Sequence, residues 1–127
     1  MNLKDKNILI TGVSGIVGSY LAKYLLDNEA NVCGLVRRRA DGFIPKNMVD
    51  RGIAGQVRLI EGDLTDISSM GIALDEAQPD VVFHLAAQSY VPRSFTHPLE
   101  TMESNTTGTA NLLEAVRNKD LNPTVVF

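Results

Sequence analysis

Short apolar runs alternate along the chain with longer stretches in which apolar residues recur every three or four positions. The short runs have the length and composition of β-strands, and the longer stretches have the period of helices packed on one face. Strands are predicted at residues 7–11, 31–36, 56–61, 80–85 and 124–127. Helices are predicted at residues 17–28, 63–77 and 98–118. The last helix carries a stripe formed by Met102, Thr106, Thr109, Leu113 and Val116.

The regular alternation of strands and helices predicts an α/β fold with a parallel sheet, because a crossover helix is the usual connection between parallel strands. The first strand, residues 7–11, is nearly all apolar, as expected where both faces of a sheet are covered. Residues 37–55 are predicted as a loop with at most a short helix at 46–51. A polar loop is predicted between the fourth strand and Pro98.

Length and charge narrow the possible functions. The 127 residues suit a single domain, and 15 acidic against 12 basic residues give a net charge of −3, so nucleic acid and anionic lipid are not expected partners. One cysteine excludes an internal disulfide and, alone, a structural zinc site. No apolar run approaches the ~20 residues of a membrane span, and the N-terminus lacks the apolar core of a signal peptide. A soluble, cytoplasmic protein is expected.

A glycine-rich turn, TGVSGIVG at residues 11–18, joins the first strand to the first helix. A pyrophosphate reaches the backbone N–H groups of a helix N-terminus only where the turn is tight and no Cβ intervenes. A third glycine lets the helix pack closely on the strand. We therefore predict nucleotide binding here rather than a purely structural turn. The predicted cofactor-binding residues of the turn are Gly12, Ser14, Gly15, Ile16, Val17 and Gly18.

Arginines follow the second strand where many dinucleotide sites carry an acidic residue that binds the ribose hydroxyls. A guanidinium group matches a 2′-phosphate, which a carboxylate would repel. The sequence therefore favours NADP, with NAD as the alternative cofactor. Arg37 is the strongest candidate for this contact and Arg38 stands beside it, although a solvated basic turn is the alternative interpretation.

The spacing G-x-x-G-x-x-G, preceded by Thr11, resembles the extended short-chain dehydrogenase/reductase family. HLAAQSYV at residues 84–91 and GLVRR at 34–38 are similar to nucleotide-sugar enzymes of that family, particularly GDP-mannose 4,6-dehydratases and related 4-keto-sugar reductases. The resemblance covers the chain from Asn7 onward. It implies a Rossmann-type doubly wound parallel sheet of about five strands in the order 3-2-1-4-5, with residues 1–127 as the N-terminal portion of an NADP-binding domain.

The resemblance also implies roles for individual residues. Asp63 and Leu64 are similar to a pair that contacts the adenine, with capping of the next helix as the alternative role of Asp63. The residues implied to line the cofactor after the fourth strand are Leu85, Ala86, Ala87, Gln88 and Ser89. Ser89 and Arg93 are expected to reach the sugar nucleotide, and a plain surface position is the alternative for Arg93.

Asn105 is similar to a family residue that helps to order a proton relay, although many dehydratases of this group carry an acidic residue there. A local hydrogen bond within its helix is the alternative role. Gly108, in the middle of the same helix, predicts close packing against a neighbour. His84 is predicted to be packed and hydrogen-bonded and His97 exposed, and no residue spacing resembles a metal site.

Catalysis in the resembling family uses a Ser or Thr after the fifth strand, a Tyr-x-x-x-Lys pair and, in dehydratases, a Glu. None of the three tyrosines here, Tyr20, Tyr24 and Tyr90, has a lysine four residues later. Because the chain ends in the apolar run 124–127, we expect a sheet cut before its last strands, with the catalytic groups and the substrate domain beyond Phe127. The chain alone is expected to be inactive.

The resemblance implies a parent enzyme that oxidises C4 of GDP-mannose, removes water across C5 and C6, and returns hydride to C6. A nucleotide-sugar 4-epimerase or 4-keto reductase is the alternative within enzymes. A non-catalytic NADP-binding module is the alternative of another class. Dimers of the family join through two helices of each subunit, so a homodimer or larger oligomer through the 98–118 helix is expected.

Overall fold

Five parallel strands form one sheet in the computed structural model, which describes residues 2–127. The strands are β1 (Asn7–Thr11), β2 (Asn31–Val36), β3 (Arg58–Glu61), β4 (Val81–His84) and β5 (Thr124–Val126). The helices are α1 (Ile16–Asp27), α2 (Lys46–Asp50), α3 (Ile67–Ala77), α4 (Val91–Thr96), α5 (Pro98–Met102) and α6 (Gly108–Asn118). The strand order β3-β2-β1-β4-β5 confirms the predicted Rossmann-type sheet.

Helices cover both faces of the sheet, and successive residues of β1 show how the two layers arise. Ile8 and Ile10 pack with α1 and α2 on one face, whereas Leu9 packs with α3 and α6 on the other. Side chains alternate between the faces of a strand, so a strand covered on both sides must be apolar throughout. The near-continuous apolar composition of β1 is therefore what two helical layers require.

Register brings the carboxyl ends of the central strands to one edge of the sheet. Thr11, the last residue of β1, pairs with Leu35 of β2 on one side and with His84 of β4 on the other. The glycine turn after β1 and the loop after β4 consequently leave the sheet side by side. Ligands of open parallel sheets gather at this edge.

Two parts of the sequence prediction were wrong about helices. The polar loop predicted before Pro98 contains α4, which has no buried residue and so no apolar stripe that periodicity could detect. The long helix predicted at 98–118 is divided into α5, a π-helical turn at Glu103–Thr107, and α6. The short helix predicted at 46–51 is present as α2.

The stripe predicted on the long helix was also partly wrong. Met102, Thr106 and Leu113 are exposed, while Thr109 and Val116 are partly buried. The buried positions of α6 are each one residue away, about 100° around the helix, at Gly108, Leu112 and Ala115. A Cβ on Gly108 would lie 2.8 Å from the Cβ of Leu64, which confirms the close packing predicted there. Small residues permit this approach but carry little hydrophobic signal.

The strands otherwise begin and end within two residues of the predicted runs. Among residues 2–127, no helix has both the length and the apolar character needed to cross a bilayer.

Candidate functional site

Backbone packing, rather than any side chain, shapes the glycine turn between β1 and α1. Gly12 has a φ of +78°, and a Cβ there would lie 2.8 Å from the backbone nitrogen of Ala86. A Cβ on Gly18 would lie 2.1 Å from the carbonyl oxygen of Gly12. The turn therefore packs directly on the loop after β4 on one side and on the first turn of α1 on the other.

The N-terminus of α1 opens on this turn. Gly15 occupies the N-cap position and supplies no side-chain cap, and the first turn of the helix has no acidic residue. The first backbone N–H groups of a helix have no intrahelical acceptor, and the helix dipole is positive at that end. Ile16 and Val17 begin the helix with exposed side chains, so they offer backbone rather than side-chain contacts. This end of α1 is suited to an anion such as a pyrophosphate.

The loop between β2 and β3 is attached to the same turn. Asn47, in α2, donates from Nδ2 to the carbonyl oxygen of Ser14 at 2.8 Å. Arg51 stacks on the ring of Tyr20 in α1, with its Cζ 3.8 Å from the ring centroid, and donates to the carbonyl oxygen of Asn47 at 3.0 Å. The carbonyl of Ser14 therefore has a side-chain donor from α2, and Arg51 connects α2 to α1. Sequence reasoning missed Asn47 because it lies 33 residues from its partner.

A cavity of about 580 Å³ lies at the carboxyl edge of the sheet, which is within the usual range for small-molecule sites. Twelve predicted site residues line it, namely Gly12, Ser14, Gly15, Arg37, Asp63, Leu64, Leu85, Ala86, Ala87, Gln88, Ser89 and Arg93. Sequence reasoning missed the lining residues Leu35, Val36, Gly62, Tyr90, Glu100 and Ser104. Three predicted residues, Ile16, Val17 and Gly18, lie at the start of α1 outside this lining.

A second cavity, of about 630 Å³, extends from the first beside the arginines that follow β2. Arg37 and Asp63 line both cavities, and Arg38 lines only the second. The Nε and Nη2 of Arg39 donate to the two carboxylate oxygens of Asp41, at 3.1 and 2.8 Å. This contact lowers the pKa of Asp41 to about 2. Within the described residues, Arg37 and Arg38 form no such ion pair, so their guanidinium groups are available to an anion.

Asp63 is not the cap of the helix that follows it. The N-cap of α3 is Asp66, whose carboxylate accepts from the backbone N–H of Ser68 at 3.0 Å. Asp63 instead accepts from the backbone N–H and the hydroxyl of Thr65, both at 2.9 Å. The backbone bond from Thr65 lowers the pKa of Asp63, and its hydroxyl and the charge of Arg37 act in the same direction. Asp63 is therefore a fixed carboxylate at the cavity wall.

Arg93, in α4, lines the cavity and forms an ion pair with Glu100 of α5. Its Nε and Nη2 donate to one carboxylate oxygen of Glu100 at 3.1 and 2.7 Å. Both residues line the cavity. The ion pair orients the guanidinium of Arg93, and the residue itself is exposed.

Asn105 contacts the loop after β4 rather than its own helix. Its Oδ1 accepts from the backbone N–H of Gln88 at 2.7 Å, and its Nδ2 donates to the carbonyl oxygen of Gln88 at 3.0 Å. The local side-chain bond weighed as the alternative role is therefore wrong. The amide of Asn105 satisfies both backbone groups of one residue of the cavity wall.

His84 is packed and hydrogen-bonded, as predicted. Its Nδ1 lies 2.7 Å from the hydroxyl of Thr11, and its Nε2 lies 2.9 Å from the hydroxyl of Thr109. Burial lowers its pKa, which favours the neutral ring. His97 is exposed, also as predicted. Among residues 2–127, no group of three His, Cys, Asp or Glu side chains is placed to hold a metal ion.

Comparison with known proteins identifies the family. Residues 9–127 match the family described as GDP-mannose 4,6 dehydratase. The chain belongs to this family. It is 41% identical over 129 residues to the GDP-mannose 4,6-dehydratase of Vibrio cholerae, covering 96% of this chain and 34% of that protein. It is 38% identical to GDP-mannose 4,6 dehydratase 1 of Arabidopsis thaliana, covering 91% and 34%.

Solved structures share the same fold. Pen from Bacillus thuringiensis superposes with a TM-score of 0.83 at 27% identity, over 100% of this chain and 38% of its own. UDP-glucose 4-epimerase of Thermus thermophilus, solved with NAD, has a TM-score of 0.74 at 31% identity, over 94% and 36%. The chain therefore spans about a third of the length of the dehydratases and structures that it matches.

Proposed function

We propose that residues 1–127 are the N-terminal cofactor-binding portion of a GDP-mannose 4,6-dehydratase. The whole enzyme would oxidise C4 of the sugar, remove water across C5 and C6, and deliver hydride to C6. The observation that carries the proposal is the cavity in which the glycine turn, Asp63 and residues 85–89 meet at one sheet edge. The bound dinucleotide supplies the hydride acceptor for the first step and the hydride donor for the last.

The walls of the cavity support a dinucleotide in this position. The pyrophosphate would lie against the backbone at Gly12, Gly15 and the start of α1, where no side chain intervenes. Asp63 and Leu64 would contact the adenine. Residues 85–89 would follow the cofactor toward the nicotinamide, and the small side chains of Ala86 and Ala87 leave their backbone accessible.

NADP is the proposed cofactor and NAD the alternative. Arg37 and Arg38 border the second cavity, next to the proposed adenosine position, and no acidic residue ends β2. A 2′-phosphate there would gain charge-assisted hydrogen bonds from guanidinium groups. The epimerase of Thermus thermophilus was solved with NAD, so NAD is kept as the alternative, and the proposed preference rests on these side chains.

The sugar nucleotide is proposed to enter over Ser89 and Arg93. Both line the cavity, and the carboxylate of Glu100 orients the guanidinium of Arg93. Asn105 is proposed as a supporting residue that acts through the backbone of Gln88. The Ser or Thr, the Glu and the Tyr-x-x-x-Lys pair of the reaction belong to the part of the family that this chain does not span, so the chain alone would not turn over.

Two other functions compete with this proposal. A nucleotide-sugar 4-epimerase or 4-keto reductase would use the same cofactor portion, and the epimerase likeness favours that candidate. A non-catalytic NADP-binding module would need only the cavity described above. The dehydratase proposal is preferred because the family match extends over residues 9–127.

Nucleotide binding is tested by titrating the chain with NADPH and following the fluorescence of the dihydronicotinamide. We expect saturable binding, and we expect Ala87→Leu to weaken it at least tenfold because the larger side chain fills the cavity. Ala40→Leu, at an exposed position outside both cavities, is the control and should change the affinity less than twofold. A chain that binds neither NADPH nor NADH would refute the proposal.

The reaction is tested with a chimera in which residues 9–127 replace the matching part of the Vibrio cholerae enzyme. We expect the chimera to convert GDP-mannose to the 4-keto-6-deoxy product and the 127-residue chain to form none. A folded chimera that binds NADPH but forms no 4-keto-6-deoxy product would contradict the proposal. Turnover by the chain alone would contradict its role as a cofactor-binding portion.

The proposed oligomeric contact is formed by residues 98–118, the segment that contains α5, the π-helical turn and α6. Leu99, Met102 and Leu113 are exposed on it by 82%, 60% and 42%. We expect light scattering to show a mass that rises with concentration, and Met102→Glu to shift the protein toward the monomer. Phe43→Glu is the control, because Phe43 is an apolar residue, 72% exposed, in the loop between β2 and α2. A monomer at every concentration would contradict this contact.

A further inference from the structure

One series of hydrogen bonds connects the ends of β1 and β4 to the last helix. The backbone N–H of Ala86 donates to the hydroxyl of Thr11 at 3.1 Å. That hydroxyl lies 2.7 Å from Nδ1 of His84, and Nε2 of His84 lies 2.9 Å from the hydroxyl of Thr109. The hydroxyl of Thr109 donates to the carbonyl oxygen of Asn105 at 2.8 Å. The series thus begins at Ala86, which lines the cavity, and ends at Asn105, whose side chain binds Gln88 of the lining.

The direction of each proton in this series follows from counting donors. Thr109 uses its single hydroxyl proton on the carbonyl of Asn105, so its oxygen must accept the proton carried by Nε2 of His84. Nδ1 is then bare and accepts from Thr11, whose oxygen in turn accepts from the N–H of Ala86. With the opposite tautomer, the hydroxyl proton of Thr11 would have no acceptor in the series, and Thr109 would donate to His84 instead of to the carbonyl of Asn105.

Residues 85–88 are held at both ends by groups that this series fixes. At one end, Thr11 receives the N–H of Ala86. At the other, the side chain of Asn105 binds both backbone groups of Gln88, at 2.7 and 3.0 Å. Asn105 lies in the π-helical turn Glu103–Thr107, a kind of irregularity that is frequent at functional sites. The bond from Thr109 to the Asn105 carbonyl fixes the backbone of that turn.

We propose that His84, in its neutral Nε2–H tautomer, is a positioning residue that joins Thr11 to Thr109 and so holds residues 85–88 in the shape that the dinucleotide requires. The effect on dinucleotide binding rests on the proposed function. The donor and acceptor roles in the series of hydrogen bonds do not depend on it. His84 does not itself line the cavity, so it acts through Ala86 and Gln88, which do.

The surroundings of His84 support the neutral ring. The side chain is 8% exposed, and Thr11 is fully buried. The groups that face the imidazole are the hydroxyls of Thr11 and Thr109 and the ring of Phe127, whose centroid lies 5.8 Å away in an edge-on arrangement. None of these three groups carries a titrating charge. Both ring nitrogens therefore keep fixed and opposite roles, one as acceptor and one as donor.

The first test of this proposal is the nitrogen NMR spectrum of His84 in the chain without ligand. We expect a protonated, pyrrole-type Nε2 and a bare, pyridine-type Nδ1 at neutral pH. A ring protonated at Nδ1, or at both nitrogens, would overturn the proposal. Because no dinucleotide is present, this measurement does not depend on the proposed function.

The second test compares Thr109→Val with Thr109→Ser. The valine variant keeps the shape of the side chain but neither donates to Asn105 nor accepts from His84, so hydrogen exchange of the Gln88 amide should accelerate at least about fivefold. NADPH affinity should fall by about the same factor, and serine should restore both. Unchanged exchange at Gln88 in the valine variant would overturn the proposal.

A matched control uses the exposed threonine and histidine pair. The hydroxyl of Thr96 lies 2.8 Å from Nδ1 of His97, outside the cavity, so Thr96→Val removes a similar bond and should leave Gln88 and NADPH affinity unchanged. Equal effects of the two valine substitutions would refute a specific role for Thr109. If the wild-type chain fails to bind NADPH, the proposed function falls, while the tautomer and the exchange at Gln88 still decide the positioning role.

Discussion

Replacing Gly18 by alanine is expected to destabilise the folded chain by about 3 kcal/mol or more. A Cβ at this position would lie 2.1 Å from the carbonyl oxygen of Gly12 and 2.8 Å from the Cα of Val13. Both contacts are with backbone atoms, so no side-chain rotation can relieve them, and α1 must separate from the glycine turn. Urea unfolding followed by circular dichroism measures this loss, and NADPH binding should be lost with the shape of the turn.

Gly55→Ala is the matched control for the Gly18 variant. A Cβ there meets nothing within 4 Å, and its φ lies outside the positive range, so its stability should stay within about 0.5 kcal/mol of the wild type. The two substitutions add the same methyl group at two glycines of the same chain. Equal midpoints for both variants would contradict the close contact between α1 and the turn.

Replacing Arg37 by alanine is expected to reduce the affinity for NADPH about 10- to 100-fold and to leave the affinity for NADH nearly unchanged. The estimate corresponds to losing a hydrogen bond to a charged group, about 1.5–3 kcal/mol at 1.4 kcal/mol per factor of ten. NADH lacks the 2′-phosphate, so the removed guanidinium has nothing to bind on it. The ratio of the two affinities, measured by fluorescence titration, is the relevant quantity.

Arg39→Ala is the control for this prediction. The Nε and Nη2 of its guanidinium already donate to the carboxylate of Asp41. Removing Arg39 should therefore change the ratio of NADPH to NADH affinity far less than removing Arg37. Arg38 borders the second cavity, and Arg38→Ala should give a smaller shift in the same direction. An unchanged NADPH to NADH ratio in Arg37→Ala would contradict the assignment of this side chain to the 2′-phosphate.

The sheet was predictable because its determinants are local. The continuous apolar composition of β1 requires cover on both faces, and the three glycines that follow require a tight turn into a helix. Each property can be recognised within a few residues of sequence. Right-handed crossovers limit the possible strand orders without selecting one. The order β3-β2-β1-β4-β5 was implied by the family resemblance, and the structure agrees with it.

The contact face of the segment 98–118, which was predicted as one helix, was not predictable in the same way. Hydrophobic periodicity gives most weight to large apolar side chains, and Met102 and Leu113 met that criterion although both are exposed. The helix packs instead through Gly108, Leu112 and Ala115, where small residues allow close approach to Leu64. Packing distance, which a composition pattern does not encode, selects this face.

Long-range partners in the site were also beyond sequence reasoning. The family resemblance pointed to Asn105 and Arg93, but not to the backbone of Gln88 or the carboxylate of Glu100 that they contact. These partners meet because their loops leave the sheet side by side. Which loops are neighbours depends on the register between the strands. Thr11 pairing with His84 is the register that brings these loops together.

The bond from Asn47 to the carbonyl of Ser14 has a consequence for redesigning cofactor preference. The segment that carries Arg37 and Arg38 also carries Asn47, so one stretch of chain contains both the groups proposed to distinguish the two dinucleotides and an anchor of the glycine turn. Transplanting the whole stretch from an NAD-specific homologue would alter recognition and scaffolding at once. An exchange confined to the arginines, with Asn47 retained, separates the two properties.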